Sequence, residues 1–212
     1  MNKREIIAYF DARAPEWDAR MVRSDSKIAF ILDAAGVRPG VSVLDVACGT
    51  GVLFGDYLAR DAARVTGVDI SPEMARIAVS KLRDPRVEVL CGDVEELPLP
   101  RRYDCCVVYN AFPHFAHPAR LLARLSACLS PGGRLTVAHG MSLAALHRHH
   151  AGRADAAVPC GGRRGLGYGK IRRLGAAAVS GVHKGFSKAP APEPAPFSFP
   201  ARMHLAPRFS IQ

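Results

Sequence analysis

The nine residues from Val43 to Gly51, VLDVACGTG, hold the most specific chemistry in the chain. A β-branched run ends in a carboxylate, Asp45, and a turn carrying Gly49 and Gly51 follows before the next helical stretch. Glycines in such a turn lack the Cβ that would hold the backbone away from a ligand lying across the end of a strand. A dinucleotide fingerprint would place a third glycine three residues after Gly51, but Phe54 stands there. Asp45 is also a poor neighbour for a pyrophosphate, which is held by N–H groups at a helix start. It suits an ammonium. The loop therefore points to a nucleotide-like ligand with a cationic amino-acid end and no phosphate. A turn that binds nothing is the plainer alternative.

The surrounding elements alternate. Lys27 to Ala35 reads as a helix closed by Gly36. Strand-like runs at 41–46, 65–68, 86–90, 104–109 and 134–138 are separated by helical stretches at 52–60, after Ser71-Pro72, and from Pro118 to Leu129. Ser71 is placed as an N-cap with Pro72 at the first helical position, and Leu121, Leu122, Leu125 and Leu129 form one stripe. Strands alternating with helices imply right-handed crossovers and a parallel sheet covered on both faces. The 212 residues, 49% hydrophobic, suffice for one such domain. The net charge of +10 suggests a nucleic-acid or membrane-surface protein until it is divided along the chain. Residues 1–150 carry 19 basic and 17 acidic side chains, whereas 151–212 carry 10 and 2. No run of about 18 apolar residues suggests a membrane span, and charges near the start argue against a secretory signal. The six cysteines have no framework spacing, which fits reduced thiols and a cytoplasmic protein.

Five segments together resemble the class I S-adenosylmethionine-dependent methyltransferases: VLDVACGTG (43–51), VTGVDIS (65–71), CGDVEELPL (91–99), YDCCVVYNAFPHF (103–115) and LSPGGRLTV (129–137). The nearest branch is the small-molecule one that includes the ubiquinone/menaquinone-biosynthesis C-methyltransferases. The resemblance implies a Rossmann-like, doubly wound, mostly parallel α/β sheet and S-adenosyl-L-methionine as cofactor. It assigns the cofactor to Asp45, Ala47, Gly49, Gly51, Asp69, Ile70, Met74, Asp93, Val94 and Asn110. Asp69 would accept from a ribose diol, which a carboxylate does better than an amide. Asp93 would accept from the adenine amine, with the Val94 N–H donating to the ring, and Asp45 would orient the methionine ammonium. Asn110 approaches the methyl region. His114 is the candidate base or substrate-orienting group, with a loop histidine of no chemical role as its alternative. Phe112 and Phe115 would wall the acceptor or belong to the core. Residues 1–24, with Tyr9, Phe10, Trp17 and Met21, are expected to form a lid, Tyr9 and Trp17 contacting substrate. A docked amphipathic helix would show the same spacing.

After about His150 the pattern changes. Residues 151–212 contain 9 Gly and 7 Pro and no sustained period, so the composition expects disorder or a frameshifted terminus, with the family's final strand hairpin missing. Strand 134–138 would then be an open edge. His147, His149 and His150 read as a solvated helix end and not as a metal site. The leading expectation is methyl transfer to a small-molecule acceptor. An RNA-binding protein using the basic tail, an inactive relic, and a nicotinamide oxidoreductase are the competing readings.

Overall fold

The computed structural model describes residues 2–140 and the backbone of two later strands, Ala178–His183 and Phe209–Ser210. The disorder or frameshift expected of 151–212, the histidines at 147–150 and Cys160 otherwise lie outside the described residues. Among the described residues six α-helices and seven strands are defined: α1 (Lys3–Asp11), α2 (Trp17–Arg20), α3 (Asp25–Ala35), β1 (Ser42–Val46), α4 (Phe54–Ala59), β2 (Arg64–Asp69), α5 (Pro72–Lys81), β3 (Val87–Cys91), β4 (Tyr103–Tyr109), α6 (Pro118–Ala127), β5 (Leu129–His139), β6 (Ala178–His183) and β7 (Phe209–Ser210). The expected boundaries hold to within two or three residues except in β5.

The sheet runs β3-β2-β1-β4-β5-β6-β7, its first five strands parallel. Alternation along the central strands divides the core between two faces. Val43, Cys105 and Val107 pack with Ile28 and Leu32 of α3 and with Phe54 and Tyr57 of α4. Leu44, Val46, Cys106 and Val108 pack with Leu121 and Leu125 of α6. Both faces of β1 and β4 are therefore buried, which is why these strands read as continuous apolar runs. The chain leaves edge strand β3 and returns on the far side of β1 as β4. The strand order reverses there, and a crevice opens at the carboxyl ends of β1 and β4.

Local chemistry explains the turns around that crevice. Gly36 closes α3 in the left-handed region (φ 78°), and Ser71 caps α5 by accepting from the Met74 N–H at 3.1 Å. Phe54 stands where the third glycine of a dinucleotide fingerprint would, and it is buried under β2. A Cβ at Gly67 would lie 2.5 Å from Phe54 Cζ, and one at Gly51 would lie 2.7 Å from Phe54 Cδ2. The missing glycine is thus exchanged for a glycine on the strand.

One feature differs from the sequence reading. The Pro131-Gly132-Gly133 turn is absorbed into β5 as an irregularity: Tyr103 pairs with Leu129, and Cys105 already pairs with Arg134. Two further strands are described beyond β5. β6 runs antiparallel to β5 from Arg134 to His139, and β7 pairs with β6 through two residues. Ladder pairing uses backbone groups alone, so β5 can be extended by a segment whose composition carries no strand-like period.

Candidate functional site

A cavity of about 460 Å³ occupies the crevice between β1 and β4. Its floor is the loop after β1. Ala47 (φ 54°) and Gly49 (φ 57°) both hold left-handed backbone there, and a Cβ at Gly49 would approach only Trp17 Nε1, at 3.8 Å. The loop is cross-braced: the Cys48 N–H donates to the Val68 carbonyl at 3.0 Å and the Gly49 N–H to Asp69 Oδ2 at 2.7 Å.

Acidic groups stand at successive points along the cavity. Asp45 is only 2% exposed, and its carboxyl is pushed up to about 8, chiefly by burial. The Tyr57 hydroxyl opposes the shift and the nearby Asp69 charge adds to it. Asp69 ends β2, and the Ser71 N–H donates to its Oδ1 at 2.9 Å. Burial raises its pKa against the pull of the Ser71 and Gly49 N–H groups. Each of its oxygens accepts one backbone hydrogen bond and keeps a lone pair for a ligand hydroxyl. Asp93 stands at the far end, its Oδ1 accepting from the Glu95 N–H at 2.9 Å and its Oδ2 paired with Lys3 Nζ at 2.6 Å. Val94 beside it is 4% exposed. Ile70 and Met74 complete this wall.

The N-terminal arm forms the roof and is held at three places. Lys3 reaches Asp93 and Glu96, and Asp11 accepts from the Ser71 hydroxyl and, at 3.2 Å, from the Glu73 N–H. Asp18 accepts from Thr50 Oγ1 at 2.5 Å and from Lys81 Nζ at 2.6 Å. Beneath the arm, the Phe10 ring stands edge-to-face with Trp17 (5.7 Å) and with His114 (5.3 Å).

Asp45, Ala47, Gly49, Asp69, Ile70, Met74, Asp93, Val94, Asn110, Trp17 and His114 all line this one cavity. Three predicted residues do not. Gly51 packs on Phe54 and shapes the turn. Tyr9 lies outside the lining, its ring stacked under the Arg13 guanidinium at 3.5 Å, because the helical face toward the cavity runs through Lys3, Ile6 and Phe10. Phe112 packs with the core on the α6 side, and Phe115 takes the place at the cavity. Asn110 lines the cavity but commits its Oδ1 to the Gly140 N–H at 2.8 Å, in left-handed backbone (φ 56°). It ties β4 to β5 at the cavity rim. The sequence reading missed Lys3, Tyr109, His117 and Arg120. The Lys3-Ile6-Phe10 spacing was a usable signal for the first, and nothing local marked the others.

A Rossmann-like sheet with its crevice at the point of strand reversal, a strained loop after β1 and a carboxylate ending β2 together define the class I methyltransferase fold. Residues 43–133 match the family described as "Methyltransferase domain". The chain is 33% identical over 138 residues to the malonyl-[acyl-carrier protein] O-methyltransferase of Anoxybacillus flavithermus, covering 64% of this chain and 52% of that one. It is 31% identical over 140 residues to the demethylmenaquinone methyltransferase of Renibacterium salmoninarum, covering 63% and 58%. Among solved structures it is similar to the DhpI–SAH complex at 28% identity and a TM-score of 0.53, covering 64% of this chain and 67% of that one. The chain thus spans little more than half the length of these two curated relatives.

Proposed function

We propose that the cavity binds S-adenosyl-L-methionine and that the protein transfers its methyl group to a small, largely apolar acceptor. The observation that carries this is Asp45: a buried carboxyl raised to about 8 at the floor of a cavity is a group that a cation would relieve. The acids along the cavity match a ligand with a cationic end, a diol and an exocyclic amine, and they disfavour one with phosphates. The relatives' names support methyl transfer, and the DhpI–SAH complex supports the cofactor.

In this reading Asp45 holds the ammonium, Asp69 accepts from the ribose hydroxyls, and Asp93 with the Val94 N–H reads the adenine edge. Met74 and Ile70 pack on the nucleoside. The cofactor supplies a methyl group already activated on a sulfonium, so the residues need mainly to align the acceptor in line with it and keep water out. Phe10, Trp17 and Phe115 exclude water, and the His114 imidazole orients the acceptor or takes its proton. Calorimetry with S-adenosylmethionine, S-adenosylhomocysteine and NAD tests the assignment. Micromolar binding of the first two, weakened at least about 100-fold by Asp69→Ala through the loss of two charge-assisted hydrogen bonds, is expected. Binding of NAD alone would overturn it.

A further inference from the structure

Tyr57 is wholly buried in the middle of α4, yet its hydroxyl has no hydrogen-bond partner among the described residues. A buried hydroxyl without a partner carries a desolvation cost that an apolar residue of the same shape would avoid. Its surroundings are otherwise apolar, with Val43, Val65, Cys105 and Val107 in the same cluster. The side-chain alternation of β1 puts Asp45 on the face that Val43 shares with Tyr57. The tyrosine therefore stands on the core side of the carboxylate that lines the cavity.

We propose that Tyr57 is a positioning residue for the cationic end of the ligand: its hydroxyl donates to Asp45 once that carboxylate faces a bound ammonium. Two incomplete groups are then completed together. The cation ionises Asp45, and the ionised carboxylate becomes an acceptor strong enough to draw the phenol into hydrogen-bonding geometry. The direction of the electrostatics agrees: the hydroxyl lies near enough to Asp45 to favour its charged form, while its geometry falls short of a full hydrogen bond. The other titratable groups facing this pair are Asp69 from β2, the Cys48 thiol from the loop and the Cys105 thiol from β4. Both thiols are raised by burial and stay neutral across the working range. The pH response of the pair is therefore set by the two carboxyls.

This inference rests on the cofactor reading above, and calorimetry on the full chain separates the two. Wild-type protein, Tyr57→Phe, Asp45→Asn and the double variant are titrated with S-adenosylmethionine between pH 6 and 9. Wild-type affinity is expected to rise with pH as Asp45 ionises. Tyr57→Phe should bind about five- to twentyfold more weakly, the scale of one hydrogen bond to a charged group, with its midpoint moved to higher pH. Without ligand it should melt no lower than wild type, having lost only an unpaired hydroxyl. In the Asp45→Asn background the same change should have no effect. If wild type does not bind, the cofactor reading itself fails. If wild type binds while Tyr57→Phe keeps the same affinity and midpoint, the positioning role is overturned and the cofactor reading stands. A loss that is equal at every pH and persists in Asp45→Asn also overturns it, because it would mark mere packing.

Discussion

Asp45 makes folding and binding pull in opposite directions with pH. Its carboxyl ionises at about 8 in the folded chain against an ordinary 3.8, so between those values the native state holds a proton that the unfolded state has released. Stability must then fall as pH rises from about 4 to about 8, at no more than about 1.4 kcal/mol per pH unit for one proton. Asp69, raised in the same direction, adds to the slope. Thermal melts of the ligand-free protein at pH 5 and pH 8 should show the higher melting temperature at pH 5, and Asp45→Asn should flatten the difference. Asp45 and Asp69 were legible in the sequence because each lies at the carboxyl end of a strand, which must face the crevice. Gly51 falls at a ligand-contact position by sequence alone, because the sequence does not reveal that Phe54 folds back against it. The raised pKa of Asp45 was not legible either, since it comes from burial under segments distant in sequence.

At the scale of elements, Phe54 and Gly67 form one unit across α4 and β2. Gly67→Ala places a Cβ 2.5 Å from the Phe54 ring, an overpacking cost of about 1–3 kcal/mol. Denaturant melts should show this loss, and the added change Phe54→Leu should recover part of it by making room. The N-terminal arm is the opposite case, held by polar contacts at its margins and with no buried residue in α1 or α2. Exposed ion pairs contribute little individually. Asp18→Ala, which removes the contacts to both Thr50 and Lys81, should therefore leave the melting temperature nearly unchanged while trypsin cleaves after Arg13 and Arg20 several-fold faster. The arm's helical character was visible in its apolar spacing, but its rotation was not. Tyr9 and Phe10 are neighbours on the helix about 100° apart, and only the packing decides which one faces inward. The β5 irregularity was hidden for a related reason: Pro-Gly-Gly reads as a turn whether the strand stops there or passes through it.

For the whole molecule, the order of strands was the most legible property, because β1, β2, β4 and β5 each end in a segment of distinct chemistry and the helices between them are periodic. Burial on both faces predicts where the fold is hardest to open. In hydrogen-exchange measurements the amides of β1 and β4 should be the slowest of residues 2–140 and those of α1 and α2 the fastest, a gradient that follows local stability. The roof over the cavity also has a history during synthesis. Lys3 leaves the ribosome long before Glu96, 93 residues later, and Asp11 long before Ser71, 60 residues later. α1 is thus made well before the strands that seat it, and until β2 and β3 are complete its apolar stripe of Ile6 and Phe10 has nowhere to go. In a nascent chain that stripe is a surface for a chaperone.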